Sequence, residues 1–120
     1  MNKIIKTAFK EEMQKAKGFY LKSDWDKCFF YLERAHILGQ RNFISHTVNH
    51  WWMLKVGFKK KDRKEILGQI PRLLFGGITS LIGRAPIGNT GGANVGIMQT
   101  MPIPKDLQEI FDRSENVKSQ

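Results

Sequence analysis

All three histidines of this 120-residue chain fall between positions 36 and 50. Their spacing says more than their number. Glu33 and His36 stand three residues apart, and His46 and His50 stand four apart, so if each pair lies on a helix its two side chains project from one face. Between the pairs lie Gly39 and the polar link Gln40-Arg41-Asn42. If two helices fold back about residue 41, His36 comes opposite His46, and Glu33 comes near Asn49 and His50. Glu33, His36, His46 and His50 are then candidate metal ligands converging at one level. Imidazoles with one carboxylate suit Zn²⁺, Fe²⁺, Ni²⁺ or Co²⁺ better than Ca²⁺ or Mg²⁺, which prefer oxygen. A plainer reading uses the same residues: histidines near a helix end cap carbonyls, His36 pairs with Glu33, and His50 packs beside Trp51 and Trp52. A catalytic metal needs an open position and a base. No independent base is evident, so the pattern leans towards binding and away from an enzyme.

Other chemistry-bearing residues are weaker signals. The glycine-rich stretch 88–96 lacks the Lys-Ser/Thr ending of a P-loop and the glycine spacing of a dinucleotide fold, which favours a structural loop. Arg72 and Arg84 could meet an anion there or satisfy loop carbonyls, as Asn89 and Asn94 would through their amides. Cys28, at a small-residue packing position, reads as a buried small hydrophobe. Ser45 and His46 are adjacent, so on a helix they point apart and make no catalytic pair.

The elements that must position these groups are helical. Apolar residues recur at helical spacing over residues 4–20, and a second helix follows Ser23 and Asp24, whose side-chain oxygens can cap it, and ends at Gly39. Ala16, Cys28 and Ala35, with Phe19 and Trp25, are spaced much as in a tetratricopeptide-type (TPR-like) helical hairpin. A third helix is expected over residues 43–58, fraying at Gly57. A fourth begins near Asp62, carries Ile66, Ile70, Leu73, Leu74, Ile78, Leu81 and Ile82 into the core, and bends at Pro71. The pair Gly76-Gly77 lets another backbone pack closely. From Gly83 the composition turns to glycine and asparagine, which predicts an irregular or extended segment lying across the helices. Met101-Pro102-Ile103-Pro104 keeps it extended. A short last helix over residues 105–111 follows, then a frayed tail. The fold class is thus a small all-α domain of about four helices plus this segment and the last helix, with one domain over residues 1–113 and a flexible tail over 114–120.

The net charge is +9, which invites nucleic acid. The dense run Lys59-Lys60-Lys61-Asp62-Arg63-Lys64 sits at a helix junction, where charge runs are usually solvated corners, and no aromatics interleave with it for base stacking. One cysteine excludes an internal disulfide, and Lys10, Glu11 and Glu12 interrupt any signal-peptide core, so the cytoplasm is the expected location. Gln69, Pro71 and Arg72 break the most apolar stretch, so membrane insertion is not expected.

The stretches Leu32-Glu33-Arg34-Ala35-His36-Ile37-Leu38-Gly39-Gln40, His46 with His50, Gly68-Gln69 with Arg72, Gly83-Arg84 on to Gly88-Asn89-Thr90-Gly91-Gly92-Ala93-Asn94-Val95, and Met101-Pro102-Ile103-Pro104 together resemble an uncharacterised bacterial family defined as a domain of unknown function. The family carries no established activity to transfer. The resemblance implies an association with bacterial metal-resistance and metal-efflux functions. The reading that follows is a transition-metal-binding accessory protein. Its rival is a basic helical module that binds a protein partner or nucleic acid, without metal, through Trp51, Trp52 and Phe58.

Overall fold

Short polar links turn the chain back on itself after each of its first three helices. In this computed structural model, which describes residues 1–83 and 85–118, the elements are α1 (Lys3–Leu21), α2 (Trp25–Gly39), α3 (Phe43–Lys60), α4 (Arg63–Leu81) and α5 (Lys105–Lys118). Each of α1 to α4 packs on its chain neighbour, and α5 returns to α1. Arg84, Ser119, Gln120 and the side chains of Gly77, Ile78 and Lys118 lie outside the described residues. No strand occurs among the described residues, and no described helix is long and apolar enough to cross a membrane.

Side-chain caps set the helix starts. Asn2 accepts from Ile4 N, Asp24 from Lys27 N, Asn42 from Ser45 N and Asp62 from Glu65 N. Each satisfies a backbone donor that the first turn leaves unpaired. Ala16, Cys28, Leu32 and Ala35 are wholly buried where α1 meets α2. Their small volumes let the two helices approach closely. Arg34 on α2 pairs with Glu12 on α1 and Asp106 on α5, tying three helices at one point.

Several boundaries differ from the sequence expectation. Gly39 is the last residue of α2 and Gln40 its cap; the glycine is needed because a Cβ there would meet Phe9 Cδ2 at 2.7 Å. The third helix does not fray at Gly57 but runs on to Lys60, closed by Lys61 in the left-handed region (φ 56°). Gly57 lies inside against Ile66. The last helix reaches Lys118 instead of stopping at Phe111, and Ser114, assigned to the tail from sequence, is buried on it.

The largest difference concerns α4, which continues through Pro71. Among its described side chains the buried ones are Gln69, Arg72 and Ser80, while Leu67 is 70% exposed and Leu74 68%. The helix expected to bury an apolar stripe turns a polar face inward and leaves Leu67, Ile70, Leu74 and Leu81 outside.

Candidate metal centre

His36 sits in the last turn of α2, and His46 and His50 open α3, so a link of three residues separates their helices. The hairpin aims all three rings at a common point. His36 Nε2 lies 3.1 Å from His46 Nε2 and 3.1 Å from His50 Nε2, and the last two are 2.9 Å apart. All three side chains are buried, at 2–4% exposure.

The opposite ring nitrogens decide what this triangle can do. His36 Nδ1 lies 2.6 Å from the Asn89 carbonyl oxygen, an acceptor only. His46 Nδ1 lies 2.8 Å from Ser80 Oγ, whose own proton is shared between the Gln40 and Gly76 carbonyls, and the Gly76 carbonyl also accepts from the His46 ring. His50 Nδ1 lies 2.7 Å from Gln69 Oε1, and the Gln69 amide nitrogen donates to Glu65 at 2.7 Å and to the Gly91 carbonyl at 2.9 Å, which fixes the amide orientation. Each Nδ1 must therefore be the donor, so each ring carries its proton there and presents a bare lone pair at Nε2. Three lone pairs face one another with no proton between them.

Extra protons are also disfavoured. Burial pushes His36 well below its ordinary range, helped by the neighbouring His50 and His46. Burial lowers His46 to about 4; burial and the neighbouring His46 lower His50 to about 3. Three nitrogen lone pairs converging in this way form a group that could hold a metal ion. For an ion about 2.0–2.1 Å from each nitrogen, tetrahedral ligands lie about 3.3 Å apart and octahedral ones about 2.9 Å. The separations here, 2.9–3.1 Å, lie from the octahedral value to midway towards the tetrahedral one, so a single ion could reach all three with small ring shifts. The purely nitrogen donor set favours Zn²⁺, Fe²⁺, Ni²⁺ or Co²⁺.

The glycine and asparagine segment completes the surround. Asn89 is buried, its side-chain amide donates to the Gly96 and Gln99 carbonyls, and its Oδ1 accepts from Gly91 N. This local net aims the Asn89 carbonyl at His36. Gly91 adopts φ +85°, and a Cβ on it would stand 2.5 Å from His36 Cδ2. Gly76 on α4 makes similar room for a side chain, since its Cβ would meet His46 Cε1 at 3.1 Å. Arg72 donates to the Gly68 carbonyl on its own helix and to the Val95 carbonyl of the glycine and asparagine segment.

Of the four ligands read from sequence, the structure brings together His36, His46 and His50, and does not bring Glu33 to them. Glu33 points to a separate surface hollow with Phe29, Lys60 and Glu65. Burial raises its pKa, the Thr90 hydroxyl opposes the rise, and Glu65 adds to it. The physical reason is angular: three residues advance a helix by 300°, leaving Glu33 about 60° around α2 from His36 and one turn away. Cys28 is wholly buried in the α1–α2 core, its thiol raised to about 11 chiefly by burial, and it is not part of the cluster. Sequence reasoning missed Ser80 and gave Gln69 no role at the site. The available signal was the run Gln69, Arg72, Gly76, Ser80, whose steps of three and four place polar and small residues on one face of an otherwise apolar helix.

A family model described as "Protein of unknown function (DUF3703)" matches residues 3–111, and the chain belongs to that family. No curated protein and no solved structure matches it.

Proposed function

We propose that this chain is a metal-binding protein whose centre is His36, His46 and His50, and that it serves as an intracellular accessory in transition-metal homeostasis or resistance. The observation that carries the reading is the triangle of Nε2 atoms at 2.9–3.1 Å with every Nδ1 committed to an acceptor. A satisfied structural cluster would place at least one N–H between two rings; this wiring removes it from all three. Histidines at metal sites hold their other nitrogen in the same way, to a carbonyl, a carboxylate or another acceptor. The test is titration of chelator-treated protein with Zn²⁺, Co²⁺ and Ni²⁺, wild type against His46→Ala, His50→Ala and Glu33→Gln. Saturable uptake of one ion per chain is expected in the wild type and in Glu33→Gln, with loss in both histidine variants. Negligible uptake by all four proteins would refute the proposal.

A second reading keeps a specific observation behind it. Trp51 and Phe58 on α3 and the outward stripe of α4 are exposed, whereas Trp52 is packed edge-on against Tyr20. A protein partner docking on the outward stripe of α4 would be captured by the wild type, released by Leu74→Asp, and indifferent to chelator.

A further inference from the structure

The triangle of nitrogens does not close into packed core. It adjoins a cavity of about 90 Å³ lined by the three rings together with Gln40, Arg72 and Phe75. That is space for one ligand of a few heavy atoms, or for a small cluster of waters. Three neutral imidazoles cancel none of the charge of a divalent ion. Arg72 adds another positive charge on the same wall: it is buried, it donates to two backbone carbonyls, and among the described residues no carboxylate lies in ion-pair contact with it, Glu65 acting on it only from farther off. Gln40 is also buried, and its Oε1 has no hydrogen-bond partner in the described structure. The wall of the cavity thus carries excess positive charge.

Resting on the metal reading above, we propose that the ion keeps a coordination position turned towards this cavity and that the position binds a small monovalent oxyanion of formate or bicarbonate size, with Arg72 as counter-charge. Neutral protein ligands and an open face distinguish such a centre from a closed structural site, in which the chain supplies every donor.

The experiment uses the full chain loaded with Co²⁺, whose visible spectrum responds to coordination number, and titrates it with azide, formate and benzoate. Saturable spectral change with azide and formate, and none with benzoate, whose ring exceeds the cavity, is the expected result. Arg72→Gln should weaken azide by about tenfold or more, and Arg72→Lys, which keeps the charge, should recover most of that loss. One Co²⁺ per chain with a spectrum indifferent to azide and formate would overturn the anion position and leave the metal site standing. Absence of Co²⁺ uptake would instead overturn the metal reading and this proposal with it. An equal response to benzoate would show that the position opens elsewhere, again overturning the proposal. Should the Arg72 variants not fold, the contrast between azide and benzoate in the unsubstituted protein still decides.

Discussion

Ser80→Ala removes one oxygen from α4 at no cost in helix propensity, and that oxygen is the acceptor that keeps the His46 proton on Nδ1. Without it, His46 gains by moving the proton to Nε2, which lies 2.9 Å from His50 Nε2 and 3.1 Å from His36 Nε2. The new N–H then donates inside the cluster. The apo-protein loses the His46 to Ser80 hydrogen bond and the Ser80 hydroxyl's shared bond to the Gln40 and Gly76 carbonyls, and recovers one, a net change of about 1–2 kcal/mol. Metal binding is hit separately, because the ion now meets a nitrogen that carries a proton. Losing such an outer partner typically costs 10–100-fold in affinity, or about 1.4–2.8 kcal/mol. Competition against a chromophoric chelator at about pH 7.5, where free imidazole is neutral, measures the affinity. Imidazole ¹⁵N shifts of the apo-protein report which nitrogen holds the proton. The expected pair of results is weaker metal binding and transfer of the His46 proton to Nε2. Unchanged affinity, or weaker affinity with His46 still protonated on Nδ1, would refute the argument that acceptor wiring prepares the site.

Three further outcomes follow from the geometry. Gly91→Ala should destabilise the protein by about 2 kcal/mol or more and weaken metal binding, since it combines φ +85° with a 2.5 Å approach to His36; Gly83→Ala, at φ +70° with open space around it, should cost only the backbone strain of about 1 kcal/mol, and equal melting losses would contradict this. The apo-protein should lose stability as pH falls: the folded histidines sit below the ordinary 6.5, at about 4 for His46 and about 3 for His50, so below 6.5 the unfolded chain binds protons that the folded chain does not. Stability is complete above 6.5 and declines by up to about 1.4 kcal/mol per pH unit for each histidine, and urea midpoints that stay level from about pH 7 to 5 would exclude it. Arg34→Leu should destabilise the fold by about 3 kcal/mol, because Glu12 is left buried without its partner, yet leave metal affinity unchanged in the same chelator competition.

The hairpin and its histidines were legible because they depend on local rules. Spacings of three and four, a glycine and a capping asparagine in a short link determine which faces meet before any tertiary detail is known. Glu33 was misplaced because its spacing from His36 shares a side of the helix only loosely, and 60° is enough to send a carboxylate to another hollow. The fourth helix was misread for a different reason. Its apolar residues outnumber its polar ones, so composition alone assigns the apolar side to the core. Burial of the polar side is a tertiary choice, made because the rings of His46 and His50 already occupy the space beneath and need acceptors from Ser80 and Gln69. The role of stretch 88–96 was unreadable too, since its use lies in aiming one carbonyl and leaving room for one ring.

That choice has an energetic consequence that separates two halves of the molecule. The packing of α1, α2 and α5 joins an apolar core, with Leu32 and Leu107 wholly buried, to the Arg34 ion pairs with Glu12 and Asp106, and uses none of the histidine rings. The packing of α4 and of residues 85–101 runs through ring positions: Gln69 holds His50 and the Gly91 carbonyl, and Asn89 holds His36 and two further carbonyls. With the lone pairs opposed, these contacts rest on a strained centre. An ion present at about 100 times its dissociation constant adds about 2.7 kcal/mol to the folded state, and the gain should be felt where the rings are anchored. Hydrogen exchange should therefore slow on metal addition in α4 and at Gly91 and Val95, with little change in the buried turns of α1 and α2. Uniform slowing across all helices would mean that the ion stabilises one cooperative unit, and that the polar face of α4 is not specifically coupled to the centre it surrounds.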